Sequence, residues 1–255
     1  DHSGMSLRMN RMMHQFRFFI PSDNTVVGSE KIEKLVLTFP SDVVGDVTLD
    51  ISDPTAVSTL SDGSHQLTLK LAEPISVSEP GKYDYAYAVI NPTAFASGQM
   101  MDVKAYTSSM IAEVDPIDLC GRSFQAGHST PVKLKVKQIM DYPYVLNFNV
   151  SGNNLGEGLI SVRFDVPDGC VWPDGSTGDF TYCPGNVIDA GDNISFRFES
   201  KDAYESFSGK EVVLYYESEH AIVSQTINIG DVIAEGETDE TVVDITVPYL
   251  FEEDF

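Results

Sequence analysis

Apolar and polar residues alternate with a period of two along almost the whole chain, which is the spacing a strand needs to bury one face. In the first half the segments are QFRFFI (15–20), KIEKLVLTF (31–39), DVTLDI (46–51), HQLTLKL (65–71), KYDYAYAVI (82–90), MDVKAY (101–106) and PVKLKV (131–136). Leu67, Leu69 and Leu71 exemplify the face turned inward. FPSD, SDPT, SDGS, SEPGK and NPT separate the segments and supply the Pro, Gly, Asp and Ser that turns use. The pattern pauses at KQIMDYP (137–143) and restarts with YVLNFNV (144–150), LISVRFDV (159–166), DFTY (179–182), NISFRFES (193–200), KEVVLYYES (210–218), AIVSQTINI (221–229) and ETVVDITVPYLF (240–251). Ile160, Val162, Phe164 and Val166 are expected on one face, with Ser161, Arg163 and Asp165 on the other. Tyr83, Tyr85 and Tyr87 likewise share a face, expected to pack into the core or between sheets. Only KDAYESFSG (201–209) has a helical look, with Tyr204 and Phe207 three apart and Gly209 as a stop.

Short strands with turn signals between them predict an all-β protein rather than βαβ units. The pause predicts two tandem β-sandwich domains, 1–137 and 138–255, joined by a short, partly exposed connection. A chain of 255 residues buries roughly 70–75% of its unfolded surface, so each half can hold a real core. The 16 Lys and Arg stand against 39 Asp and Glu, a net charge of −23, and that field repels nucleic acid and anionic membrane surfaces. No stretch approaches the roughly 18 apolar residues of a membrane helix, and residues 1–14 lack the apolar run of a signal peptide, so the chain reads as mature.

Candidate chemistry is sparse. His2, His14, His65, His128 and His220 show no metal-ligand spacing, and no nucleophile elbow, P-loop or dinucleotide fingerprint occurs. The reading is therefore of a non-enzyme, with no catalytic, cofactor-binding or metal residues. Asp165, Asp168, Asp174 and Asp179 crowd a glycine-rich stretch without an EF-hand pattern, and turn chemistry accounts for them as well as calcium does. Cys170 and Cys183 flank the turn-rich VWPDGSTGDFTY and are a candidate disulfide, which leaves Cys120 as a small buried residue. Trp172, the single tryptophan, lies in the same loop, either plugging the end of the second core or contacting a glycan from its rim.

The aromatic strand KYDYAYAVINP, followed through a loop by RSFQAGHSTPVKLKV, resembles the end of the N-terminal domain of the fimbrillin-like surface proteins of Bacteroides and relatives. The resemblance runs from QFRFFI to VKLKV and rests on strand and turn motifs. It implies two transthyretin-like, Greek-key sandwiches and an exported lipoprotein at the cell surface or outer membrane, serving as a pilus subunit, tip or anchor component. It further implies assembly by β-strand addition, in which an Arg-directed protease removes an N-terminal strand and another subunit's strand fills the groove. Arg8 and Arg11 are then the candidate processing sites. ETVVDITVPYLF becomes the candidate donor or terminal strand, with Val243, Ile245 and Val247 on one face and Tyr249 continuing it past Pro248. The expected partners are other surface subunits, with a host or dietary glycan as the alternative and the membrane met only through a lipid anchor outside this sequence. The ending FEEDF reads as the start of a link to a further domain. The alternative from another class is a glycan-binding module of a surface polysaccharide-capture system, built around Trp172.

Overall fold

The computed structural model describes residues 12–48 and 58–249. The chain divides into two compact units, Asp1–Asp141 and Tyr142–Phe255, and both are all-β sandwiches.

The strands of unit 1 are β1 (His14–Phe19), β2 (Ile32–Thr38), β3 (Val44–Thr48), β4 (Thr59–Ser64), β5 (Gln66–Ile75), β6 (Ala86–Ile90), β7 (Thr93–Ala94), β8 (Met100–Tyr106), β9 (Met110–Val114), β10 (Ile117–Asp118), β11 (Ser123–Phe124), β12 (Ser129–Lys133) and β13 (Val136–Asp141). One sheet has the order β12-β1-β6, with β1 parallel to β12 and antiparallel to β6. A second runs β13-β9-β8-β2-β5, with β10 also on β8, and β11-β7 and β3-β4 form two-stranded sheets. Phe16, Phe18 and Ile20 from the first sheet and Leu35, Leu37, Val103 and Ala105 from the second are buried in one core, as alternation requires. The link between β10 and β11 turns on Cys120 (φ 49°) and Gly121 (φ 61°), and the Arg122 N–H donates to Leu119 O at 2.9 Å. Positive φ at both central residues is the primed turn that follows right-handed strand twist.

Unit 2 contains β14 (Tyr144–Asn153), β15 (Leu159–Asp165), β16 (Phe180–Tyr182), β17 (Asn193–Phe198), helix α1 (Lys201–Glu205), β18 (Glu211–Ser218), β19 (Ile222–Asn228) and β20 (Asp239–Val247). Its sheets are β17-β14-β20 and β16-β15-β18-β19. The helix starts where Ser200 Oγ accepts from Ala203 N–H at 3.2 Å, a side-chain cap on one turn, and it buries Tyr204. Phe148, Phe164, Phe196 and Trp172 pack at ring separations of 4.8–5.9 Å and fill the centre. The two units share a plan: the first strand is the middle of a three-stranded sheet, antiparallel to one neighbour and parallel to a late strand, β12 in unit 1 and β20 in unit 2.

Several expectations are corrected. PVKLKV is not one strand: β12 ends at Lys133, the chain crosses at the fully buried Leu134, and β13 begins at Val136 in the other sheet. KQIMDYP is correspondingly not a free connection, because β13 pairs with β9 as far as Asp141. The tyrosine face is reversed. Ala86, Ala88 and Ile90 point into the core, while Tyr83 and Tyr87 are 46% and 53% exposed. In β15 the register shifts between Leu159 and Ser161, so Ile160 is exposed against the alternation expected of it, while Ser161 keeps the outer side with Arg163 and is covered there by Glu217, whose Oε2 accepts from Ser161 Oγ at 2.6 Å. The alternation in β15 resumes with Val162 and Phe164 inside.

Candidate functional site

The terminal strands are the sites on which an assembly role turns. β1 is bonded along both backbone edges, and its inward residues Phe16 and Phe18, with Ile20 just past its end, are at most 1% exposed. β20 lies at the edge of its sheet, parallel to β14 from Asp239 to Val247. Val243, Ile245 and Val247 enter the core, at 9%, 1% and 0% exposure, so β20 is an integral part of unit 2. Its outward side is laced to β14: Asn149 Nδ2 donates to Asp244 Oδ1 at 2.7 Å, Ser151 Oγ donates to Ile245 O at 3.0 Å, and Asn147 Nδ2 donates to Glu240 Oε1. Tyr204 OH meets Thr241 Oγ1 at 2.7 Å from the helix side. Tyr249 lies beyond the strand end and is exposed. Arg8 and Arg11 lie outside the described residues.

Trp172 is not a rim platform. Its ring is 1% exposed, its Nε1–H donates to Gly178 O at 2.7 Å, and its rings stack among Phe180, Phe196 and Phe207. The loop folds around the indole, with Trp172 N–H donating to Ser176 O and Gly175 N–H to Trp172 O, each at 2.8 Å. A sugar has no ring face there to stack on. The Cys170–Cys183 bond does not form either, and both thiols are free. Cys170 is buried with Sγ 3.6 Å from Ser206 O beside the helix, and burial pushes its thiol up; Cys183 is exposed. Cys120, expected inside, is exposed because it occupies the turn, where its N–H donates to Asp118 Oδ1 at 2.7 Å.

Of the four loop aspartates, Asp165 and Asp179 come together, and the neighbouring carboxyl pushes Asp179 up; Asp174 instead holds the Ser176 N–H at 3.1 Å. Among the described residues no group of three or more His, Cys, Asp or Glu is placed to hold a metal. Two clusters had no signal in the sequence. At the β18–β19 hairpin, Glu157 accepts from Ser218 Oγ at 2.5 Å and meets His220 Nδ1 at 2.9 Å, and these hydrogen bonds hold the Glu157 carboxyl below its usual range. On the outer face of β15–β18, Arg163 lies 4.1 Å over the Tyr215 ring, in an open cleft of about 390 Å³ with Ser161, Thr181, Glu217 and Ile222. The consecutive tyrosines separate as strand geometry demands, Tyr216 inward and Tyr215 outward. These partners meet only across strands, so spacing along the chain could not reveal them.

The fold and these sites define an all-β protein of two tandem sandwich units with its terminal strands built into their sheets. No family model matches the chain, and no curated protein matches it. Among solved structures it is similar to the major pilin protein of Streptococcus pyogenes, at 8% identity over 94% of this chain and 99% of the pilin, with a TM-score of 0.19; a likeness that small carries no argument.

Proposed function

We propose that the chain is a non-catalytic structural and adhesion protein of a bacterial surface, a fimbrillin-like pilus subunit, tip or anchor component that associates with other subunits by strand addition. The observation that carries this reading is the fit between two strand types. β1 occupies the middle of its sheet and, with Ile20 just past its end, presents Phe16 and Phe18 at every second position. β20 presents Val243, Ile245 and Val247 at the same spacing from a sheet edge. Loss of β1 leaves unpaired backbone on β6 and β12 and an apolar trough between them, and a β20-type strand from another copy satisfies both. The Arg8 and Arg11 region precedes β1, where processing would act, although trimming there alone leaves QFRFFI in place.

The test compares the intact chain with one lacking residues 1–20. Sizing by light scattering should give a monomer for the intact chain at moderate salt and concentration-dependent oligomers for the shortened one. A synthetic ETVVDITV peptide should bind the shortened chain alone and block its oligomers. If the shortened chain is unfolded, added QFRFFI peptide must restore its melt. A shortened chain that is folded, monomeric and indifferent to both peptides overturns strand addition.

A further inference from the structure

We propose that the outer face of the β12-β1-β6 sheet is a binding site for an acidic glycan, carboxylated or sulfated, held by a tyrosine ladder and two cations. The proposal stands independently of strand addition, because it concerns a face of the intact chain.

The first ground is an inversion of size. β6 turns Ala86 and Ala88 into the core and sends its large residues outward, with Tyr87 and Val89 53% and 49% exposed. Tyr83 and Tyr85 extend the row, giving ring separations of 5.9 Å and 6.1 Å along the ladder. Phe19 supports it from β1, edge-on to Tyr83 at 4.9 Å and to Tyr85 at 5.7 Å. A row of large apolar rings left facing water is the informative exception to burial. Each phenol also offers a hydroxyl that donates and accepts, so the strip suits a ligand with apolar ring faces and polar rims.

The second ground is charge. The strands HQFRFF, AYAVI and STPVK contain no Asp or Glu, in a chain that has 39 of them. By contrast β13, β9, β8, β2 and β5 of the opposite sheet each carry at least one. The charges that remain on the exposed side of these strands are Arg17 and Lys133; Asp84, in the extension of the row before β6, accepts from Ser76 Oγ at 3.2 Å, and Asp23 and Asp115 share a cleft with Lys133. Arg17 lies opposite Tyr87 on one side and Pro131 on the other, with its guanidinium 5.3 Å from the Tyr85 ring, and Lys133 lies opposite Phe19. Among the described residues neither cation is in an ion pair. The net charge of −23 opposes a polyanion at long range, but at physiological ionic strength that field is screened beyond about 8 Å, so contacts on the face decide.

The third ground is size against partner class. Three strands of five or six residues make a face roughly 15 by 20 Å, on the order of 300 Å². A stable protein interface needs about 800 Å² on each side. The strip is too narrow for a folded protein and wide enough for a few sugar rings.

The probes are oligogalacturonate for the carboxylated source, a heparin-derived oligosaccharide for the sulfated one, and a neutral cello-oligosaccharide, each titrated into the intact chain by calorimetry. At least one acidic probe should bind, and more tightly than the neutral one. Tyr87→Ala should weaken that binding about tenfold, the size of one lost stacking contact. Lys133→Gln should weaken it several-fold, and Tyr87→Trp should retain it. Tyr87 and Lys133 are exposed, so unchanged melting curves show that the variants fold. Absence of binding to both acidic probes at millimolar concentration, equal binding of the neutral probe, or binding indifferent to Tyr87→Ala and Lys133→Gln overturns the proposal. Capture of an acidic peptide through these residues without glycan binding likewise overturns it in favour of a protein partner.

Discussion

His14 opens β1 with a buried ring whose Nδ1 lies 3.0 Å from Gln125 O and Nε2 3.0 Å from Thr130 Oγ1, between the edges of Phe16 and Phe124. A carbonyl accepts only, so Nδ1–H donates to it, and Nε2 accepts from the threonine hydroxyl in the neutral ring. Burial pushes the imidazole below its usual 6.5; the Gln125 carbonyl opposes that shift and nearby His128 adds to it. The folded state therefore binds fewer protons than the unfolded chain. His14 contributes stability that is fully present above pH 6.5 and lost as pH falls through the depressed folded pKa. Denaturant midpoints of unit 1 measured on both sides of pH 6.5 should fall toward acid, and His14→Gln should flatten that slope; an unchanged slope in the variant would assign it to other groups. Trp172 shows what the residue scale hides from sequence. Its Pro and Gly neighbours suggest a rim, yet its N–H finds Gly178 O inside, and only the path of the intervening turn decides between the two.

At the scale of elements, alternation was legible wherever one face is dry, as in β2, β17 and β18, whose inward residues are apolar except Ser218 at the end of β18. It misled where the chain changes sheets or register. Val132, Leu134 and Val136 alternate as one strand would, yet they serve two sheets, because all three sit against the same core from different sides. In KYDYAYAVI hydrophobicity predicts the tyrosines inward, but the residues that enter the core are Ala86, Ala88 and Ile90, at 4%, 2% and 0% exposure. The candidate glycan face was thus present in sequence as a tyrosine row, while its cations arrive from β1 and β12 through pairings that no local pattern encodes. β20 gives a sharp test of inward against outward within one strand. Ile245→Ala removes a side chain that is 1% exposed and should cost unit 2 about 2–4 kcal/mol. Val242→Ala, at a position 57% exposed, should change stability by less than about 0.5 kcal/mol. Similar losses in equilibrium unfolding of the two variants would mean that β20 is not packed as described.

The whole molecule combines a strongly acidic surface with two separate interiors. Among the described residues the first core draws its buried members from residues 16–136 and the second from 146–247, so each unit holds a core of its own. The charge of −23 works against association of faces between copies and in favour of solubility, while open sheet edges are the usual route to unwanted pairing. Three of the edge strands carry guards against it: Pro131 sits in β12, Pro74 in β5, and Glu240 and Asp244 in β20, which Pro248 follows. Two cores, one per unit, lead to the expectation that the units fold on their own, which can be checked directly. Residues 1–141 and 142–255 expressed separately should each melt cooperatively, because the cut after Asp141 keeps β13 with β9. A cut after Lys137 takes most of β13 away from β9, and the first fragment should then melt at a lower temperature than its longer counterpart. If neither fragment from the cut after Asp141 melts cooperatively while the whole chain does, the units fold only together, and the separate cores are not separate folding units.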